Sequence, residues 1–335
     1  MKKIISIVAF CLVALCLISI INPVFVDKAY NRYYMLSREL EKHEDIDVQV
    51  YGSCHAYTSF DSLYFSEKTG LNSYNMANPS EIMPATYLRM YERFKEDVPE
   101  VVLVETWGLN AYQTYITKEE IFDSYFGLNI EDIPVSLEKL SVINDYECLD
   151  YLEENLYIAK YKDRLLDFSL SEVDFKYSFE KAAKENDPTS IHWLYEEMKN
   201  RFSHKGFKAN PSEELLDYEE QQAKVNEQDV LAIEEDLVYY LDKIIELCNN
   251  NEVEVIFYRA PYRSSEEELK KVNYLAQYLK EKQIVFYDLE KEIEFDYKTD
   301  FFDYEHLSAS GARECTEFLM GKILMKYDTT LKNAF

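Results

Sequence analysis

The sequence predicts an α/β fold: a central parallel sheet with helices on both faces, a mainly helical insertion, and an N-terminal transmembrane helix. Three observations lead there. Short aliphatic runs of strand length alternate with segments of helical period over residues 46–110 and again over 229–335, and repeated strand–helix alternation builds a parallel sheet. Residues 111–228 break that rhythm with an acidic, tyrosine-rich stretch of helical pattern. The chain also opens on an apolar run long enough to span a bilayer.

That run is "IISIVAFCLVALCLISII", eighteen uncharged residues from Ile4 to Ile21, preceded by Lys2 and Lys3 and ended by Asn22 and Pro23. No small-residue cleavage site follows it, so residues 1–23 read as a signal anchor, with a cleaved signal peptide as the alternative. Leu15 before Cys16 argues against lipidation. The two lysines put the N-terminus inside and everything after Pro23 outside the cell. The expected location is therefore a single-pass membrane protein, held through residues 4–22, with an extracytoplasmic C-terminal domain.

Residues 24–45 follow as a juxtamembrane helix. "IDVQVYGS" alternates Ile46, Val48 and Val50 with polar residues, a strand signal. "PSEIMPATYLRMYERF" carries helical spacing at Ile82, Tyr87, Met90, Tyr91 and Phe94, with Ser80 as candidate N-cap. "PEVVLVETW" is a buried strand. Past the insertion come "VLAIEEDLVYYLDKIIELCNNN" as an amphipathic helix and "VEVIFYRAPY" as a strand. A helix over "SSEEELKKVNYLAQYLKEK" has a capping box at Ser264 and Glu267. "IVFYDLE" is the last strand and "SASGARECTEFLMGKILMKY" the last helix. The α/β domain is thus 46–110 plus 229–335, and the insertion is expected to cover its active face.

Composition removes whole classes of function. A formal charge of −27 opposes nucleic acid, which demands a basic surface, and opposes docking on anionic headgroups. The apolar fraction of 47% is enough for a sizeable core, and seven glycines with eight prolines leave little room for flexible linkers. The six cysteines are scattered without CxxC pairing, which argues against both a disulfide framework and a metal site. Cys248 and Cys315 fall on apolar helix faces and read as core.

Cys54 has two readings. A free cysteine is commonly a small buried residue, yet "GSCH" stands where the first strand turns, and a tight turn there exposes one side chain above the sheet. In a doubly wound sheet, ligands bind outside the carboxyl ends of the strands. A second polar group arrives at the same edge: "DFFDYEHLSASGA", in which Asp303 and His306 are spaced D-x-x-H before the last helix. A nucleophile needs a base, and the base an orienting partner. Cys54, His306 and Asp303 supply the three, which favours the nucleophile over packing. Ser53 is a fallback nucleophile and otherwise an oxyanion or substrate-binding candidate. His55 is expected to point away from Cys54, and His192, beside Trp193, to pack within the insertion. Arg259, at a strand end, is either an anion-binding group or a structural ion pair. Glu105 and Trp107 are placed to line a pocket.

Gly52-Ser53-Cys54-His55 and Asp303-Tyr304-Glu305-His306, in that order on this scaffold, resemble the two ends of the SGNH/GDSL hydrolase superfamily. The closer likeness is to its membrane-anchored branch, which includes the D-alanyl-lipoteichoic-acid biosynthesis and alginate O-acetylation proteins. The resemblance covers roughly residues 46–110 and 230–325. It implies a three-layer fold, no cofactor, and acyl chemistry on a cell-surface polysaccharide or related glycopolymer. It also implies a polytopic membrane O-acyltransferase as partner. Cys54 stands where that branch has serine. The usual second-block glycine and third-block Gly-x-Asn-Asp are missing. Asn78 and Asn110 are the carboxamides nearest those places, and the backbone N–H of Cys54 is an oxyanion donor. The implied activity is transfer or hydrolysis of an acyl ester. A catalytically silent protein that binds glycan or scaffolds a membrane acyltransferase is the alternative. A cysteine peptidase fits less well, because the order of the three residues does not match papain-like enzymes.

Overall fold

The computed structural model describes residues 32–113, 126–145, 188–213 and 222–333, with Ser6, Phe10 and Val13. Five parallel strands form one sheet: β1 Val48–Tyr51, β2 Ser73–Asn75, β3 Val101–Glu105, β4 Glu254–Arg259 and β5 Val285–Asp288, in the order β2-β1-β3-β4-β5. Register is set along the aliphatic runs, with Val48 opposite both Ser73 and Val101, and Val104 opposite Phe257. Strand order reverses between β1 and β3, and in open α/β sheets that crevice is where ligands sit.

The helices are α1 Arg32–Leu40, α2 Cys54–Ser59, α3 Ser62–Thr69, α4 Met83–Arg93, α5 Gly127–Ile130, α6 Leu137–Asn144, α7 Pro188–Ser203, α8 Glu235–Asn250, α9 Glu266–Glu281, α10 Leu289–Glu292 and α11 Ala309–Asn333. They cover the sheet on both sides. Val102 and Val104 join one core with α1, α4, α8 and α9, while Val101 and Leu103 join the other with α2, α3 and α11. The period-two alternation of strand side chains produces this split, and the result is a three-layer arrangement.

Several elements depart from expectation. In β1 the alternation does not mark a wet face: Gln49 is fully buried, with Nε2 donating to Asp97 and Oε1 accepting from Tyr51. A parallel sheet covered on both faces leaves no wet side, so a buried polar residue must find partners. Ser80 does not cap α4. It sits in a left-handed turn, and Pro84 instead lies in the helix's first turn, where no backbone N–H is needed. The capping box of α9 lies one residue later than predicted, at Ser265 and Glu268, because Ser264 is buried with its hydroxyl committed to Arg259 and to the carbonyl of Tyr262. β2, only three residues long and polar at both ends, carries too short a pattern to be read from sequence.

Helix α1 falls within the predicted juxtamembrane segment. Residues 24–31 of that segment, like the anchor 4–21 apart from Ser6, Phe10 and Val13, lie outside the described residues, among which no helix is long and apolar enough to cross a membrane. Within the insertion lie α5, α6 and α7, and Phe126, Ile130, Val142, Leu194 and Met198 pack into the core on the α4–α8 side. Thus the described helices of the insertion thicken one face of the sheet, and α5 also reaches the loop after β2, where Asn129 Nδ2 donates to the carbonyls of Pro79 and Ser80. His192 and Trp193 lie in α7. After α7 the chain runs along the free edge of β2: Asn75 donates its N–H to the Lys205 carbonyl at 2.9 Å, and a Cβ on Gly206 would stand 1.9 Å from the Asn75 oxygen. Arg201 ties this edge down, donating to the carbonyls of Gly206 and Ala77 and stacking on Tyr57 at 4.1 Å.

Candidate active site

The site begins at Gly52, the residue after β1. Its φ of +132° is one that a side chain disfavours, and a Cβ there would lie 2.8 Å from the Cβ of Glu105. Glycine therefore lets the end of β1 cross close over the end of β3 and turn at once into α2. Ser53 caps that helix, its Oγ accepting from the N–H of His55 at 3.2 Å. Cys54 becomes the first helical residue, half-buried at the sheet edge, with its backbone N–H where helix geometry leaves an amide without an intrahelical acceptor.

The second half of the site comes from the loop before α11. Asp303 Oδ1 accepts from the N–H groups of Glu305 at 2.8 Å and His306 at 2.7 Å, and from Nδ1 of His306 at 3.0 Å. Three donors on one oxygen hold the imidazole by its Nδ1 side and leave Nε2 for the hydrogen bond that the ring shares with Cys54. Burial pushes the Asp303 carboxyl up, but the hydrogen bond and charge of His306 outweigh it and hold it below its ordinary value. Burial pulls His306 down, while the bond to Asp303 and the charge of Cys54 push it up, to about 9.

His55 also belongs to the site, against expectation. Its Nδ1 lies 3.9 Å from Cys54 Sγ and 3.0 Å from Ser53 Oγ. The ring stacks on that of His306 at 5.4 Å and that of Trp107 at 5.6 Å, and leans on Tyr262 at 4.7 Å. Residues 54 and 55 open a helix, so they project about 100° apart rather than to opposite sides. Burial disfavours charge on His55, but the Cys54 charge and hydrogen bond, then Glu305 and Glu105, raise it to about 10. Cys54 is the counterpart. Burial opposes its ionisation, and the charge of His55 with hydrogen bonds from both imidazoles overcomes this, so the thiol is held well below its ordinary range. The three groups favour one another's charge: both rings are drawn toward the imidazolium and the thiol toward the thiolate.

Two carboxylates back the second imidazole. Glu105, wholly buried at the end of β3, accepts from Ser53 Oγ at 2.8 Å and from the Trp107 N–H at 2.9 Å. Burial raises its pKa, countered by the charge of His55 and the bond from Ser53. Glu305 Oε2, on a half-exposed side chain, reaches within 3.7 Å of His55 Nε2.

The remaining sequence candidates fall elsewhere. Ser53 is no fallback nucleophile, because its hydroxyl is buried and donates to Glu105. Asn78 is close, its N–H donating to the Gly52 carbonyl, yet its Nδ2 is committed to Glu81 at 3.1 Å. Asn110 Nδ2 donates to the Tyr262 hydroxyl at 3.0 Å. Arg259 binds no exposed anion: it is buried, pairing with Asp288 at 2.8 Å and Glu290 at 2.7 Å and donating to the Tyr262 carbonyl. That network holds the loop whose Tyr262 ring rests on His55. Tyr262 had no signal in the sequence, and Glu305 stood out only as a neighbour of Asp303. His55 had a signal, its position beside the cysteine, which was read as pointing away.

A protein-family model of an uncharacterised family matches residues 167–327, a span that holds Asp303 and His306 but not Cys54. No curated protein and no solved structure matches the chain.

Proposed function

We propose that this chain is an extracytoplasmic acyl-ester enzyme of the SGNH type, acting through Cys54, His306 and Asp303 on a cell-surface polysaccharide or glycopolymer. One observation carries the reading: the Cys54 sulfur lies 3.9 Å from His55 Nδ1 and within hydrogen-bond reach of a His306 oriented by Asp303, and its thiol is held well below its ordinary range. In the first half-reaction, the thiolate attacks the acyl carbon and the carbonyl π pair moves to oxygen. The intermediate then collapses with loss of an alkoxide that takes the proton from His306 Nε2. In the second, His306 removes the proton of an incoming hydroxyl, which attacks the thioester and releases the thiolate. A sugar hydroxyl as acceptor makes the enzyme a transferase, and water makes it a hydrolase. The resemblance adds a polytopic O-acyltransferase as the acyl source, and the predicted anchor keeps the domain beside such a partner.

A silent, glycan-binding role has one observation in its favour, that the carboxamides of Asn78 and Asn110 are both engaged away from the sulfur. The full chain, incubated with p-nitrophenyl acetate, separates the two. The enzyme reading expects p-nitrophenolate release and an acetyl group on Cys54 by mass spectrometry, both lost in Cys54→Ala. A wild type that releases nothing and stays unacylated, or activity that appears only in Cys54→Ser, supports the silent role. Protease added to intact spheroplasts checks topology: residues 24–335 should be digested, and full protection would overturn the extracytoplasmic assignment.

A further inference from the structure

We propose that His55 is a second catalytic residue, whose Nε2–H binds the oxyanion formed when Cys54 attacks an acyl carbon; the inference rests on the acyl-transfer reading above. The ring is buried, 3% exposed, and held on three sides by Trp107, Tyr262 and His306. One of its nitrogens is anchored. The Ser53 hydroxyl gives its proton to Glu105, so the lone pairs of Oγ accept from the backbone N–H of His55 and from Nδ1–H. The other nitrogen, Nε2, is buried and without a hydrogen-bond partner. Glu305 Oε2 makes an ion-pair contact with it at 3.7 Å, too long for a hydrogen bond and on a side chain 46% exposed that a substrate oxygen can displace. Cys54, Glu305 and Glu105, acting against burial and His306, favour the ring's protonated form, so Nε2 carries hydrogen.

Buried donors without acceptors are uncommon in folded proteins, and each needs a reason. Here the donor sits one residue from the nucleophile, on a ring whose other nitrogen is 3.9 Å from the sulfur. A substrate oxygen is the acceptor that fits. The need is also local: the Asn78 and Asn110 carboxamides donate to Glu81 and Tyr262, and His306 is occupied with Asp303 and with proton transfer. As the thiolate forms the S–C bond, the carbonyl electron pair moves to oxygen, and that oxygen takes the place next to Nε2–H. When the S–C–O⁻ centre collapses, the pair returns, the C–O bond to the leaving group breaks, and His306 gives that oxygen its proton. His55 begins and ends protonated.

The test compares acylation with alkylation, because attack on iodoacetamide's CH₂ forms no oxyanion. Full-length wild type, His55→Gln and His55→Asn are each acylated with p-nitrophenyl acetate and alkylated with iodoacetamide, at a pH where that variant's own alkylation profile has reached its plateau. Glutamine keeps a donor near the place of Nε2; asparagine keeps one only near Nδ1. Loss of one oxyanion donor typically slows acyl chemistry by about 10²–10³-fold. We expect a fall of that order in acylation by His55→Asn, partial recovery in His55→Gln, and plateau alkylation within about tenfold of wild type in both. If His55→Asn does not fold, as judged by thermal unfolding, Ser53→Ala releases Nδ1 while leaving the ring and must give the same split. Equal falls in both reactions, or no fall in acylation, overturn this inference alone. A wild type that alkylates but is never acylated overturns the acyl-transfer reading and this inference with it.

Discussion

The imidazoles of His55 and His306 stack with ring centroids 5.4 Å apart and planes inclined by 18°. Two cationic rings face to face repel each other, and each disfavours charge on the other. The anion that reconciles them is the Cys54 thiolate, which lowers the energy of both charged rings and is itself stabilised by them. The three groups therefore titrate as a unit.

The pH profile of alkylation follows from that unit. An ordinary thiol loses its thiolate as pH falls through about 8.5. Cys54 ionises well below its ordinary value, so its alkylation rate should stay on the plateau as pH falls through that region, and drop only in more acidic solution. In His306→Ala the drop should move up in pH. Asp303→Asn should move it less, since the ring remains. Iodoacetamide kinetics across pH measure all three, and a wild-type midpoint near 8.5 would refute the stored thiolate.

Glu105 supports the charge of His55 through Ser53. Removing a nearby negative charge lowers an imidazole pKa, so Glu105→Gln should titrate His55 at lower pH than wild type does. The chain has five histidines, few enough to assign by NMR of isotope-labelled protein. An unchanged His55 titration would mean that the buried carboxyl is already neutral.

Arg259 tests structure rather than chemistry. Its guanidinium pairs with Asp288 and Glu290, and its removal leaves both carboxylates without that partner. Breaking a buried ion pair from one side costs about 3–5 kcal/mol. Thermal or denaturant unfolding of Arg259→Ala should register a loss of that order, whereas an anion-binding arginine would leave stability nearly unchanged.

Two glycines with positive φ separate strain from site geometry. At Gly70 a Cβ meets nothing within 4 Å, and at Gly52 it meets the Cβ of Glu105 at 2.8 Å. Gly70→Ala should cost about 1–2 kcal/mol for the left-handed backbone and leave Cys54 alkylation as it was. Gly52→Ala should both destabilise the chain and slow alkylation, because β1 can no longer turn against β3 into α2. Equal alkylation rates in the two variants would show that the close approach at Gly52 does not position the thiol.

Much of this was legible in the chain. Aliphatic runs separated by helical periods are enough to call a parallel sheet, since one pattern reports burial on both faces and the other on one. Cys54, Asp303 and His306 were legible because each stands at a strand or helix boundary, where an α/β sheet gathers its chemistry. The apolar faces of Cys248 and Cys315 were read from spacing, and both residues are fully buried. What only the tertiary structure decided is which polar groups meet. Periodicity says that Arg259, Glu105 and Ser53 lie near strand ends, but not that Asp288 and Glu290 take the arginine or that Glu105 takes the serine. Those pairings depend on which strands lie side by side and in what register. The place of His55 turned on whether residue 54 continues a turn or begins a helix. That choice was made by the close crossing of Gly52 over Glu105, a contact between residues remote in sequence that no local pattern carries.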